Sequence, residues 1–529
     1  MDTRRHDVRR QYAVHAILGL SILSGFIVAG CSTNPRLTAA DRKRDIEFLA
    51  HWAKDYHPCV EVNEKYKGTP SYEALLPKYL EFAARAESDE EFYLVVSGYF
   101  NVIGASGHAY LVPDDFLKAC RVGTFLGIAN WGITPGQFEK ARYWARLAGS
   151  LSTRAHPPFR VMGKDGRYFT DDDWQYEGAA VPKGSGIVKV NGMTCARYLD
   201  FVKDSTSLEY DAHSKGWVDY FLMIVDEGPS FQGWHVDFRL PDGRDLAAFV
   251  PKVKGFPGPL NDWARTVEAR ENCTCIELAE DIGYVRIRSF LPGPLHYVFR
   301  GYIRKERARI GAFLARAQGR YKKLIIDIRN NGGGLPQYYY DSLIAPFLKE
   351  PVTWKETVGI KGSFLRDTKP SVLRRLRQDV KLGQVNEEEG EPPDGFDQEQ
   401  WVFYTIARRV EPSHRYDFHG KLYVLINGGC YSAADGYAGA VKRTGLGTLV
   451  GRSTGGAGAG YIAPPMVRLP ASGMIFRLEA DLDVNPDGSF NELVGTPPDI
   501  ELPPADPPAS ITREDLLQDE WIKRVIAQP

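Results

Sequence analysis

Leu422-Tyr-Val-Leu-Ile-Asn-Gly-Gly-Cys-Tyr-Ser-Ala-Ala-Asp-Gly-Tyr-Ala-Gly-Ala-Val-Lys442 reads as an apolar strand that breaks at two glycines and resumes as a helix of small residues. The run 422–426 carries no charged position, the pattern of a strand covered on both faces. Ser432 falls at the join, where a side chain is left exposed. The unpaired N–H groups and positive dipole end of the following helix favour negative charge of the kind that develops when a carbonyl is attacked. Serine at a helix start is also a common N-cap, so the join alone leaves open a purely structural hydroxyl.

Upstream, Lys323-Leu-Ile-Ile-Asp-Ile328 repeats the design: a buried-type strand runs into Arg329-Asn-Asn-Gly-Gly-Gly334, and a helix follows from about Pro336. With the strand 283–287 and a long helical stretch over about 297–319, strands alternate with helices, which predicts right-handed crossovers and a largely parallel sheet. Glycines after a buried strand let backbone N–H groups approach a substrate closely, so the N–H of Ala433 with that of Gly332 or Gly333 could form an oxyanion hole. A tight strand-to-helix turn explains the same glycines without chemistry. The polar segment 368–400, with its Glu387-Glu-Glu-Gly-Glu-Pro-Pro-Asp394 run, reads as an insertion or mobile loop rather than core.

From 38 to 112 the pattern is helical, with apolar periodicity at Ile46, Leu49 and Trp52, over 72–86, and at Phe92, Val95 and Tyr99. It closes on Gly104-Ala-Ser-Gly-His-Ala-Tyr-Leu111, where a helix yields to a strand near His108. Residues 113–265 are rich in Gly, Pro and aromatics and read as β with short helices. Segments 186–192, 195–204 and 234–250 loosely resemble part of a PDZ domain, without a clear carboxylate-binding loop. The expected organisation is therefore residues 1–30 as a signal segment, 31–112 as an N-terminal helical region carrying His108, 113–265 as a β-rich PDZ-like module, 266–505 as an α/β core, and 506–529 as a C-terminal helix.

The first thirty residues carry Arg4, Arg5, Arg9 and Arg10 and then an apolar run over 13–28, the make-up of a secretory signal. Val28-Ala-Gly-Cys31 resembles the lipobox of bacterial lipoproteins, which implies lipidation of Cys31 and attachment to the cell envelope, with Ser32 resembling the outer-membrane-directed type facing the periplasm. Across the 529 residues Lys and Arg number 66 and Asp and Glu 67, so no global basic field points to nucleic acid. The seven cysteines are scattered, and no zinc-type spacing occurs; no metal or organic cofactor is expected. A homodimeric state is left open.

Two further residues could serve a serine nucleophile, which needs a base and a group that orients the base. His108 is a candidate base, and Glu492, in Phe490-Asn-Glu-Leu-Val-Gly-Thr-Pro-Pro-Asp-Ile500, a candidate carboxylate. Taken with 327–334, 427–435, Gly451-Arg-Ser-Thr-Gly-Gly456 and Pro498-Asp-Ile500, these motifs resemble the C-terminal processing peptidase and tricorn family of serine peptidases, from about residue 40 to 504. The resemblance implies a multidomain α/β protein with a ClpP/crotonase-like protease core. Family members with a Ser-Lys dyad carry lysine 25 residues after the serine; here that position is Ala457. The tricorn-like branch uses Ser, His and Glu, which implies Ser432, His108 and Glu492. Cys430-Tyr431 and Asp435 depart from the common pattern, and Cys430 is a rival nucleophile by position. The resemblance implies a polypeptide substrate. Two other readings stand beside it: a non-hydrolytic peptide or hydrophobic-ligand carrier on the same fold, and an esterase or amidase acting on envelope components.

Overall fold

The computed structural model describes residues 36–529 apart from 68–70, 102–107, 126–132, 152–154, 160, 165–166, 171, 203–208, 212–215, 219–231, 255–270, 294–295, 297–298, 368–384, 390–399, 414, 459–464, 504–506 and 509. The expected signal segment 1–30 and Cys31 lie outside the described residues. Residues 39–529 form one compact unit, assembled as multidomain α/β architecture from several sheets with separate hydrophobic clusters.

The strand Lys323–Asp327 sits near the middle of a six-stranded sheet ordered Cys273–Ala279, Ile282–Ile287, Lys323–Asp327, Lys421–Ile426, Thr448–Gly451, Ile500–Glu501. Its first pair is antiparallel and the rest parallel. Alternation along each strand splits the apolar residues between two layers. Leu324, Ile326, Leu422, Val424 and Ile426 pack with Ile310 and Leu314 of the helix Gly301–Arg316 and with Tyr437 and Val441 of the helix Ala433–Thr444. Ile325, Tyr423, Leu425 and Val450 pack on Leu516, Trp521, Ile522 and Val525. These last four belong to two short helices, Arg513–Gln518 and Glu520–Ile526. The C-terminal segment expected as a separate helix is therefore the cover of one whole face of the core sheet. Thr512 caps the first of its helices by accepting from Asp515 N–H at 3.1 Å.

Between the parallel strands a second sheet is inserted, antiparallel throughout: Val385–Glu389, Trp401–Val410, Val352–Lys361, Leu482–Val484. Part of the acidic 387–394 run is thus an edge strand; residues 390–394 lie outside the described residues. The middle module holds a five-strand antiparallel path, Asp245–Pro251, Gly233–Arg239, Gly186–Val190, Arg167–Thr170, Val161–Lys164, with its own core around Trp234, Phe238 and Tyr198. That module starts later than the sequence suggested. Residues 114–151 are mostly two helices, Asp114–Phe125 and Pro135–Leu151, whose Leu117, Cys120, Phe138 and Ala141 pack with Val112 and Ile475. They extend the N-terminal helical region.

A small three-stranded sheet sets the geometry that matters most. Tyr110–Leu111 pairs antiparallel with Ile475–Arg477, which pairs with Met466–Arg468. Tyr110 lies opposite Arg477 and Leu111 opposite Phe476. Continued by two residues, that register sets His108 opposite Glu479.

Candidate active site

Two asparagine-glycine loops at the carboxyl ends of neighbouring parallel strands clasp each other. Asn330 N–H donates to Asn427 Oδ1 at 2.8 Å, and Asn427 Nδ2 donates back to Asn330 Oδ1 at 2.7 Å. Tyr431 N–H donates to Asn331 O at 3.0 Å. A Cβ on Gly429 would strike Asn330, and one on Gly333 would strike Tyr431 O and lie 2.8 Å from Ala433 N. The loops approach this closely because both positions are glycine, and Gly333 also has φ +91°.

Ser432 sits at the tip of the second loop with φ 56° and ψ −124°, a left-handed backbone in a residue that bears a Cβ. Such a conformation costs on the order of 1–3 kcal/mol and persists when surroundings enforce it. Here Ser432 N–H donates to Gly456 O at 2.9 Å and Ser432 O accepts from Gly436 N–H at 2.9 Å, so the backbone is held on both sides. The side chain makes no capping hydrogen bond to its helix. Its Oγ lies 2.7 Å from His108 Nε2 instead, which removes the N-cap explanation that the sequence left open.

His108 Nδ1 lies 2.7 Å from Oε1 of Glu479. The imidazole is 18% exposed and the carboxylate side chain 4%. The ring also faces Tyr431, centroid to centroid 5.3 Å at 57°. A hydroxyl bonded to one imidazole nitrogen, with a carboxylate on the other, is an arrangement that can move a proton off the serine and stabilise the resulting cation.

The carboxylate on His108 is Glu479 and not the Glu492 expected from the sequence. Glu492 opens the short helix Asn491–Val494, where its Oε1 accepts from Asp483 N–H at 3.2 Å and its Oε2 has no hydrogen-bond partner among the described residues. Burial first, and then the charges of Glu479 and Asp483, push the Glu492 carboxyl well above the usual range. Its ionisation is thus disfavoured in the field of the Glu479 carboxylate. The physical reason for the difference is register: His108 and Glu479 flank paired strands, whereas Glu492 lies beyond a turn that the sequence spacing does not reveal.

Of the three backbone donors expected for an oxyanion, Gly333 N–H is already given to Asn331 Oδ1 at 2.9 Å. Gly332 and Ala433 remain, the first on a position with open space where a Cβ would be and the second in the opening turn of the helix. Cys430, the rival nucleophile, is fully buried and donates its thiol to Ile328 O at 3.0 Å. Burial pushes that thiol up to about 12, so it stays protonated. Asp435 accepts from the Thr454 hydroxyl and, at 3.1 Å, from Thr496 N–H, tying the helix to the loops around Gly451 and Gly495. Ala457, where a dyad lysine would stand, is buried with φ +61°.

Sequence reasoning missed Glu479 and two residues close to it. Cys59 Sγ lies 3.1 Å from Glu479 Oε2, and the buried His57 precedes it. Among the described residues no group of three or more His, Cys, Asp or Glu is arranged to hold a metal ion.

Residues 281–502 match peptidase family S41. Among solved structures, a serine-to-alanine variant of CPAF is similar with a TM-score of 0.54 at 16% identity, over 92% of this chain and 96% of that one. Mature CPAF complexed with lactacystin gives 0.52 at 16% identity, over 92% and 97%, and mature CPAF 0.51 at 16%, over 88% and 93%. At that identity the likeness is one of fold. No curated protein matches the chain. The family match covers Ser432 and both clasped loops, and the likeness of fold extends over nearly the whole molecule, so that residues 281–502 of this chain match a family of serine-type peptidases.

Proposed function

We propose that this peptidase cleaves peptide bonds with Ser432 as nucleophile, His108 as general base and acid, and Glu479 as the group that orients the imidazole. Ser432 Oγ adds to the peptide carbonyl while its proton passes to His108 Nε2. The carbonyl oxygen takes up the negative charge and is met by the N–H groups of Gly332 and Ala433. His108 then returns the proton to the departing amine, and water, deprotonated by the same nitrogen, releases the acyl group from Ser432. Glu479 Oε1 accepts from Nδ1–H throughout and stabilises the imidazolium. The observation that carries this reading is the pair of 2.7 Å contacts through which one imidazole joins Ser432 to Glu479.

The lipobox-like Cys31 supports an envelope-anchored enzyme acting on exported polypeptides, and fatty-acid labelling that is absent from a Cys31→Ser chain tests this. For the chemistry, a fluorophosphonate probe applied to residues 32–529 is expected to label Ser432, to lose all labelling in Ser432→Ala, and to react far more slowly with Glu479→Gln. Absence of labelling in the well-folded parent protein contradicts the proposal and favours a carrier of peptides over a hydrolase.

A further inference from the structure

Glu479 has two oxygens, and hydrolysis as proposed uses only Oε1. The other, Oε2, is enclosed and lies 3.1 Å from the thiol of Cys59, 420 residues away in sequence. A thiol is a weak donor, but donation to a carboxylate is charge-assisted, and a buried carboxylate oxygen left without a donor is costly. Cys59 is itself buried and lies in the short helix Pro58–Val62. Its N–H donates to Nδ1 of His57 at 3.1 Å, so the backbone that carries the thiol is fixed by an imidazole. That bond requires His57 Nδ1 to be the acceptor, which places the proton of neutral His57 on Nε2. The Nε2 atom is enclosed without a hydrogen-bond partner.

The charges around Glu479 make this arrangement selective. His108 faces it at 2.7 Å, its charge helps to raise the Glu492 carboxyl, and its pull on His57 is opposed by the charge of Lys361. Were His57 protonated, a second cation would compete with His108 for the same carboxylate. Burial outweighs the pull of Glu479 and lowers His57 to about 4, so it stays neutral at neutral pH. Glu479 therefore meets the His108 imidazole at Oε1 and a sulfur donor at Oε2.

We infer that Cys59 is a positioning residue of this peptidase: held by His57, its thiol donates to Glu479 Oε2 and fixes the carboxylate plane so that Oε1 faces His108. The inference rests on the Ser432-His108-Glu479 reading above. Without the donor the carboxylate can turn, and its charge is less dispersed, which strengthens the pull on the His108 proton.

The test uses residues 32–529 with Cys59→Ala, Cys59→Val and Cys59→Ser, read by kcat, KM and the pH dependence of fluorophosphonate labelling. Cys59→Ala is expected to lower kcat by roughly 10–100-fold, the usual effect of removing a group that orients a catalytic one, with KM little changed and the acid limb of the labelling profile moved to higher pH. Cys59→Val fills the volume without a donor and should behave alike if the alanine variant fails to fold. Cys59→Ser restores a donor and should return kcat to within a few-fold of the parent. A parent protein that the probe does not label defeats the underlying serine-hydrolase reading. A labelled parent whose folded Cys59→Ala or Cys59→Val variant keeps its kcat and pH profile overturns the role of Cys59 alone.

Discussion

At Ser432 the chain accepts a left-handed backbone in order to aim a hydroxyl away from its own helix and at His108. Replacing Ser432 by alanine keeps the Cβ and the strain, so the expected result is turnover lower by about four or more orders of magnitude with a melting temperature close to that of the parent. The two glutamates are predicted to separate cleanly. Glu479→Gln should lower kcat by a comparable ~10⁴-fold, because the amide favours the wrong imidazole tautomer. Glu492→Gln replaces a carboxyl whose ionisation is disfavoured with a neutral amide and should leave kcat within a few-fold. Its signature is in stability: a carboxyl raised in the folded state stabilises fully below its unfolded value of 4.5 and loses that contribution as pH rises toward its folded value. The melting temperature of the parent should therefore fall more steeply between pH 5 and 8 than that of Glu492→Gln, and parallel curves would refute a raised Glu492 carboxyl. Ser432 was legible because the strand-glycine-serine-helix pattern is local. His108 was legible through family resemblance, being one of eleven histidines with no local mark. Glu479 was not, because its partner is fixed by strand pairing across 371 residues.

Among the elements, the alternation of apolar strands and helices after residue 282 conveyed the parallel sheet, whose burial on both faces is written in runs such as 323–327 and 422–426. The helices Asp114–Phe125 and Pro135–Leu151 were obscured by the glycines, prolines and aromatics around them, and by packing against Val112 and Ile475 that no local pattern reports. The glycine loop after Asn331 offers a test at this scale. Gly333→Ala adds a methyl that collides with Tyr431 O and Ala433 N at a positive φ, and should abolish labelling of Ser432 while the far-ultraviolet circular dichroism stays that of a folded protein. The C-terminal helices offer another. Arg329, fully buried, pairs with Asp327 at 2.7 Å and with Asp519 at 2.8 Å, and its guanidinium lies over the Trp521 ring. Against its burial, Asp327 is held well below the usual carboxylate range by Arg286 and Arg329, and it keeps Arg286 at 2.9 Å as a second cation. Asp519 has no such second cation among the ion pairs of the described residues. Arg329→Ala should cost about 3–5 kcal/mol in chemical denaturation, the range for breaking a buried pair; a loss below ~1 kcal/mol would show the helices to be held by Trp521 and its apolar neighbours alone.

For the molecule as a whole, the span that matches the peptidase family is predicted not to be a self-sufficient enzyme. Residues 281–502 contain Ser432, Glu479 and the clasped loops but lack His108 and the helices that cover Ile325, Tyr423, Leu425 and Val450. Expressed alone, that span should show no turnover and should aggregate through the uncovered sheet face; a soluble, active fragment would contradict the assignment of His108. The long reach of the site, 324 residues from His108 to Ser432 and 371 to Glu479, also has a bearing on time. A chain made from its amino end displays His108 long before its serine exists, and the serine long before the last helices can close the sheet. Until the short strand at Tyr110 finds its partner at Arg477, the nascent chain holds a hydroxyl with no base beside it. On the proposed mechanism, destructive capacity is thus withheld from the growing polypeptide and its neighbours, and arrives only with the completed tertiary fold.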